Sequence, residues 1–272
     1  MKKTIILIPF LLFFYLKQEL IIISYNIRYN NPGDGKNIWD NRKNTILKFI
    51  KNKNPDFIGL QEVTHNQLIF LDNQLKTYDY VGVGRDDGKN KGEFSPILYD
   101  SKNFKLITSK TIWLSESPNK ISIGWDAAME RICTYGLFEN LRNKTKIWVF
   151  NTHFDHVGND ARKKSTELII ETIKKNNSED FPVILTGDLN LGDQNPSIKK
   201  LQNFLIDSMK HLSSNSDLYG TFNGFQENTA NRRIDYVFYK HLKIINSNHI
   251  HLKTPFGGWA SDHHPVIAKF KF

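Results

Sequence analysis

Cysteine is almost absent. A single thiol, Cys133, leaves this chain of 272 residues without an intrachain disulfide and without a cysteine-built zinc site. It lies in Arg131-Ile-Cys-Thr-Tyr-Gly-Leu-Phe138, a strand-like run where a small buried hydrophobe is expected. A membrane-length apolar run is missing too, because residues 4–16 fall short of the roughly 20 that a spanning helix needs. The glycine-rich loop at residues 84–92 lacks the spacing of a phosphate-cradling P-loop. No internal repeat and no linker-like interior segment divides the chain. Acidic residues are outnumbered, 28 Asp and Glu against 37 Lys and Arg, for a formal charge of +9. Such a charge favours phosphate-bearing partners or anionic surfaces, yet the lysines are scattered and form no single basic block.

What is present is enough for one large core. Hydrophobic residues make up 39% and aromatics 12%, which excludes a disordered chain. Met1-Lys2-Lys3 followed by the apolar run has the composition of a secretory signal peptide, although no small-x-small cleavage site follows. Residues 1–18 are therefore expected to direct export to the periplasm or beyond, or to stay as an N-terminal membrane anchor. Residues 19–272 form the domain.

Apolar runs of strand length end near Asn26, Glu62, His153, Asp188 and Phe272, with others around residues 80–84, 94–99, 104–113, 131–138, 234–239 and 244–252. Helical spacing marks residues 41–51, the Leu68-Leu71-Leu75 stripe, residues 160–176 and a short helix after Pro196. Interspersed strands and helices imply one α/β (α+β) domain.

The clearest stretch is Val183-Ile-Leu-Thr-Gly-Asp-Leu-Asn190, a buried-strand pattern that stops at Gly-Asp-x-Asn. Alone, it reads as a turn. However, Asn26, Glu62, His153, Asp188 with Asn190, Asp235, and Asp262 with His263 all close or flank apolar runs. Each is an ordinary cap or turn residue by itself; six such coincidences point to a site at one sheet edge. Carboxylates and amides with no thiol suit a hard cation such as Mg²⁺, with Mn²⁺ as a substitute. Two imidazoles beside it suit phosphate-ester hydrolysis by in-line attack of water.

Six segments, Ser24-Tyr-Asn-Ile-Arg28, Gln61-Glu62, Asn151-Thr-His-Phe154, Gly187-Asp-Leu-Asn190, Arg233-Ile-Asp-Tyr236 and Ser261-Asp-His-His-Pro265, occur in this order. Together they resemble the endonuclease/exonuclease/phosphatase superfamily. The resemblance implies a four-layered α/β/β/α sandwich of two mixed sheets with the site at strand ends. It makes Glu62 the principal metal ligand, with Asn26 beside it and Asp262 completing the metal environment. Asp188 would activate the water, Asn190 would hold the scissile phosphate, and His263 would donate to it, fixed by Asp235. His153 matches a second histidine of the deoxyribonuclease-like branch, whose carboxylate partner would be Glu93, and Arg131 would contact phosphate. Asn223 and Phe225 fall in a segment where relatives place a substrate-lining loop. His65, His156, Trp113 and Trp125 are further candidates, with core packing the expectation for Trp113.

The implied activity is a metal-dependent phosphoesterase, with a nuclease placed ahead of a phosphatase or a sphingomyelinase-like phospholipase. A non-catalytic binding protein on the same fold is the third reading. The expected partner is a phosphate-ester substrate, nucleic acid among the options, with membrane contact only through the N-terminal segment. No protein partner is implied, and oligomeric state is left open.

Overall fold

The computed structural model describes residues 19–210, 219–227 and 232–271. The signal peptide or anchor expected at residues 1–18 lies outside the described residues. Two six-stranded mixed sheets stack face to face. The first has the order β11-β12-β1-β2-β4-β3 and the second β5-β6-β7-β8-β10-β9. The first contains β1 (Glu19–Asn26), β2 (Phe57–Gln61), β3 (Tyr78–Val81), β4 (Ile97–Asp100), β11 (Lys243–His249) and β12 (Val266–Lys271). The second contains β5 (Phe104–Trp113), β6 (Ile132–Asn140), β7 (Lys146–His153), β8 (Val183–Asp188), β9 (Ile206–Asp207) and β10 (Asp235–Lys240). Helices α1 (Trp39–Lys53) and α2 (His65–Gln74) cover the outer face of the first sheet. Helices α3 (Asn159–Asn176) and α4 (Pro196–Gln202) cover the second. This is the four-layered sandwich expected.

The continuous apolar strands now have a cause: both faces of each sheet are covered. Along β1, Leu20 and Ile22 point into the inter-sheet core, whereas Ile23 and Tyr25 point to α1. Along β7 and β8, Val149 and Ile184 face inward, while Trp148, Phe150, Val183 and Leu185 face the second pair of helices. Only the central pairs β1–β2 and β7–β8 are parallel. Their four C-terminal ends therefore meet at one edge of the sandwich, and that edge carries Asn26, Glu62, His153 and Asp188.

Below that edge the sheets are joined by polar side chains. Asn151 lies fully buried on β7 and uses its whole hydrogen-bonding capacity. Its Oδ1 accepts from Gln61 Nε2 at 2.7 Å and Thr186 Oγ1 at 2.9 Å. Its Nδ2 donates to the Leu60 and Pro96 carbonyls at 2.7 and 2.9 Å. Gly59 makes this approach possible, since a Cβ there would lie 1.9 Å from Thr186 Oγ1.

Several boundaries differ from expectation. The strand read at residues 94–99 pairs only over Ile97–Asp100, because Pro96 has no N–H for the ladder. Phe94 instead makes isolated bridges to Val63 and Gly84. The strand expected at residues 80–84 begins and ends earlier, at Tyr78–Val81, and Gly82 turns the chain with φ +131°. The short β9 was not foreseen; a two-residue strand carries no periodicity.

Candidate active site

The register of the second sheet builds half of the site. His153 pairs with Asp188, and Asp188 with Asp235, so three neighbouring strands present these side chains in a row. His263 arrives from the segment before β12, and its Nδ1 bonds Asp235 Oδ2 at 2.9 Å. Its Nε2 lies 3.7 Å from Asp188 Oδ2, while His153 Nε2 lies 3.5 Å from the same oxygen.

The first sheet builds the other half. Buried Asn26 donates through Nδ2 to Glu62 Oε1 and to Asp188 Oδ2, both at 3.0 Å, tying the halves together. Glu62 turns inward because its backbone is left-handed, with φ +57°. Arg28, Asn190 and Phe225 share that conformation at φ +57°, +51° and +61°. Non-glycine residues held there are uncommon, and their gathering at one edge fits a site whose surroundings over-determine the backbone.

Burial and charge set the protonation states. Burial alone would lower the pKa of His263, but the charges of Asp235 and Asp188 reverse this and hold it well above 6.5. Asp188 is pushed up to about 7, first by burial and then by the charge of Asp235, against the opposing pull of His263 and the Asn26 amide. His153 moves the other way, well below 6.5, through burial and the nearby charges of Arg131 and Arg85. It is therefore neutral. With Nδ1–H toward Glu93 Oε2 at 4.0 Å, its Nε2 accepts from Asn190 Nδ2 at 3.2 Å. The edge thus pairs a charged imidazole with a neutral one.

A divalent cation fits the donor set. Glu62, Asp188 and His263 each place a ligand atom within 4.8 Å of the others. Of these, the carboxylate oxygens suit a hard cation, whereas His263 is held as an imidazolium by its two aspartates. Asp262, its pKa raised by burial and by the charge of Glu62, stands beside this trio and is 3.8 Å from Arg28. The excess of buried carboxylates is what a bound cation would relieve.

Four expectations need correction. Asn26 was expected as a metal ligand, yet its oxygen accepts from the Arg28 N–H at 3.0 Å, so nitrogen faces the carboxylates. It brackets Glu62 and Asp188. Glu93, expected as the carboxylate partner of His153 and grouped with the substrate contacts, does face His153 Nδ1 at 4.0 Å, but its two-bond ion pair is with Arg85, at 2.9 and 3.1 Å. Arg131, expected to contact phosphate, is buried and held by Asp155 at 3.4 Å and His156 Nδ1 at 3.0 Å. Asn223 is buried too: its oxygen accepts from the Phe225 N–H and its nitrogen donates to the Ser261 carbonyl, fastening the loop. Phe225 is half-buried, its ring 5.5 Å from the Arg42 guanidinium. Of the lesser candidates, His65 stacks on Phe94, and Trp113 packs inside with Nε1 donating to the Arg85 carbonyl. Trp125 is half-buried.

Arg28 and Arg85 were the residues not singled out. Arg28 grips Asp34 at 2.9 and 3.0 Å and reaches within 3.9 Å of Glu62. It stood in the first conserved-looking motif, so its place was a usable signal. Arg85 sits in the loop set aside as no nucleotide cradle.

Residues 23–263 match the profile of the Endonuclease/Exonuclease/phosphatase family. The chain belongs to this family. A mannosyl-6-phosphatase of Bacteroides thetaiotaomicron is 34% identical and superposes with a TM-score of 0.86, covering 93% of this chain and all of that one. An uncharacterised protein of Acanthamoeba polyphaga mimivirus is 30% identical over 257 residues, 86% of this chain and 92% of its own length. The Danio rerio protein TDP2, in complex with single-strand DNA product, is 18% identical with a TM-score of 0.74, over 93% of this chain and 99% of that chain; this shows a shared fold. Family membership, with a mannosyl-6-phosphatase among the similar structures, makes the chain a phosphoester-hydrolysing enzyme.

Proposed function

We propose that this family member is a Mg²⁺-dependent phosphatase acting on the monoester of a small polar molecule, a sugar phosphate in particular. The observation that carries the hydrolytic part is the imidazolium of His263, 2.9 Å from Asp235 and 3.7 Å from Asp188, next to Glu62. Two observations support a small substrate. The arginines around the site are each matched by a carboxylate: Arg28 by Asp34, Arg85 by Glu93 and Arg131 by Asp155. A nucleic-acid track needs cations free to neutralise successive phosphates. The mannosyl-6-phosphatase likeness, at 34% identity, points the same way. Nuclease activity, placed first from the sequence, therefore becomes the second reading.

Glu62 and Asp188 carry the carboxylates that would hold the cation, and the chemistry it would supply is neutralisation of charge on the phosphate oxygens. Asp188 takes a proton from the attacking water as the new P–O bond forms. The bond to the sugar oxygen breaks on the opposite face, that oxygen takes its proton from solvent water as it leaves, and the proton held by Asp188 returns to solvent. His263 donates its Nε2–H to a phosphate oxygen, with Asp235 fixing the ring. Neutral His153 accepts from Asn190 and sets the direction of its amide beside the water.

The test is a panel with Mg²⁺: hexose phosphates, supercoiled DNA, RNA and sphingomyelin, each against wild type and Asp188→Asn. Phosphate release from a hexose phosphate by wild type alone is expected. Nicking of DNA without phosphate release from any monoester would overturn the substrate assignment.

A further inference from the structure

The end of the sandwich opposite the active site carries a groove of about 360 Å³. Its rim includes Lys144, Lys146, Lys243 and Lys271, its floor Phe181 and Leu242, and among the described residues no carboxylate side chain lines it. Two neighbouring acids reach the lining itself, at Lys144 and His241, which leaves Lys146, Lys243 and Lys271 without a carboxylate partner among the described residues. Glu139 pairs with Lys144, Asp180 with Lys240 and His241, and Glu19 with Lys269. Lys146 lies 5.5 Å from the Phe181 ring, its charge beside an apolar surface. The groove thus combines positive charge with a half-buried apolar floor, the pairing that an anionic lipid headgroup and its first methylenes satisfy.

Where the chain enters the domain gives the groove an orientation. Glu19 begins β1 and is in register with Lys271, which is in register with Lys243. The apolar run of residues 4–16 therefore precedes, by a few residues, the strand that borders the groove. Asn26, at the other end of β1, is roughly 23 Å away at about 3.3 Å per residue.

We propose that this lysine-rimmed groove is a docking surface for an anionic phospholipid bilayer. The surface lies beside the point where the apolar N-terminal segment joins the domain, so both contacts act on one membrane face. The active site then opens away from the bilayer, toward soluble substrates.

The test uses the full chain and sedimentation with vesicles of phosphatidylcholine, alone or mixed with phosphatidylglycerol. The N-terminal segment, with Lys2, Lys3 and Lys17, is identical in wild type and in both variants below, so comparison among them isolates the groove. Wild type should prefer the anionic vesicles by at least about tenfold at low salt, given the attraction expected per surface lysine. A variant with Lys144, Lys243 and Lys271 all changed to Gln should lose most of that preference with an unchanged melting temperature. The three side chains are exposed, so folding is spared. A control with Lys36, Lys89 and Lys163 changed to Gln, exposed positions remote from this groove, should keep it. Equal binding of wild type to both vesicles, or an unaltered preference in the groove variant, would overturn the proposal. So would displacement from anionic vesicles by millimolar inorganic phosphate at constant ionic strength, which would mark a free-phosphate site.

Discussion

Replacing Asn151 by Ala should damage the joint between the two sheets more than any cavity of that size would. The side chain is fully buried and makes four hydrogen bonds, to Gln61, Thr186, Leu60 and Pro96. Each contributes about 1 kcal/mol net, and groups left unpaired in the interior cost about 1–3 kcal/mol. Some have a second partner: Gln61 Nε2 also reaches the Gly59 carbonyl, Thr186 Oγ1 the Phe150 carbonyl, and the Pro96 carbonyl the Leu60 N–H. The net loss is therefore about 3–5 kcal/mol, a large share of a domain's usual stability. Urea denaturation followed by tryptophan fluorescence measures it, with a lower midpoint and an unchanged slope. Asn151→Asp is the companion. It keeps the shape but turns an oxygen toward two carbonyls, so it should be no milder than Ala at neutral pH. A loss below about 1 kcal/mol for both variants would refute the claim that this residue joins the sheets. Activity should fall along with stability, because Glu62 follows β2 while Asp188 ends β8.

Asp235→Asn removes the charge nearest His263. Because the folded-state pKa of His263 is raised, the stability it contributes is fully present below about 6.5 and is lost as pH rises through the higher folded value. The stability gap between wild type and variant should thus be wider at pH 6 than at pH 9, and turnover should fall about a hundredfold. Asp56→Asn has the opposite flavour. Burial raises the Asp56 pKa to about 6, so stability is full below about 3.8 and falls as pH rises through 6. An Asn can still accept from the Ile21 N–H, now held at 2.8 Å by the carboxylate. Allowing for the partial exposure of the group, thermal melts at pH 7.5 should show the variant more stable by about 1–2 kcal/mol, a gain that vanishes near pH 4. Glu62→Gln should raise the Mg²⁺ concentration needed for half-maximal rate, read directly from a metal titration.

The strand ends were legible because burial on both faces makes their apolar runs long and their polar stops abrupt. Asp188 after Val183-Ile-Leu-Thr-Gly and His153 after Lys146-Ile-Trp-Val-Phe-Asn-Thr are of this kind. What those residues do to one another was less legible. Glu93 and Arg131 each precede a strand and lie near enough to interact, but the choice of Arg85 as the partner of Glu93 depends on how a glycine-rich loop folds back, with Arg85 N–H donating to the Glu93 carbonyl. Asn26 was read as a metal ligand and Asn223 as a substrate contact, whereas hydrogen bonds to partners far along the chain, Glu62 and Asp188 for Asn26 and the Ser261 carbonyl for Asn223, fix them as braces. Asn151 was read as part of a motif, and its four-bond role needs both sheets in place. Local pattern reports which residues stop a strand, and tertiary pairing decides which stop becomes a ligand, a base or a clamp.

The central claim is that Asp188 and a divalent cation together hydrolyse a phosphate ester at this edge. Its most direct test is the initial rate of phosphate release from a hexose phosphate, for wild type and Asp188→Asn, across a Mg²⁺ titration and in excess chelator. The account predicts cation-dependent turnover by wild type, none in chelator, and a loss of at least about a hundredfold in the variant with its melting curve intact. Turnover that persists in chelator, or a variant that hydrolyses at the wild-type rate, would contradict it.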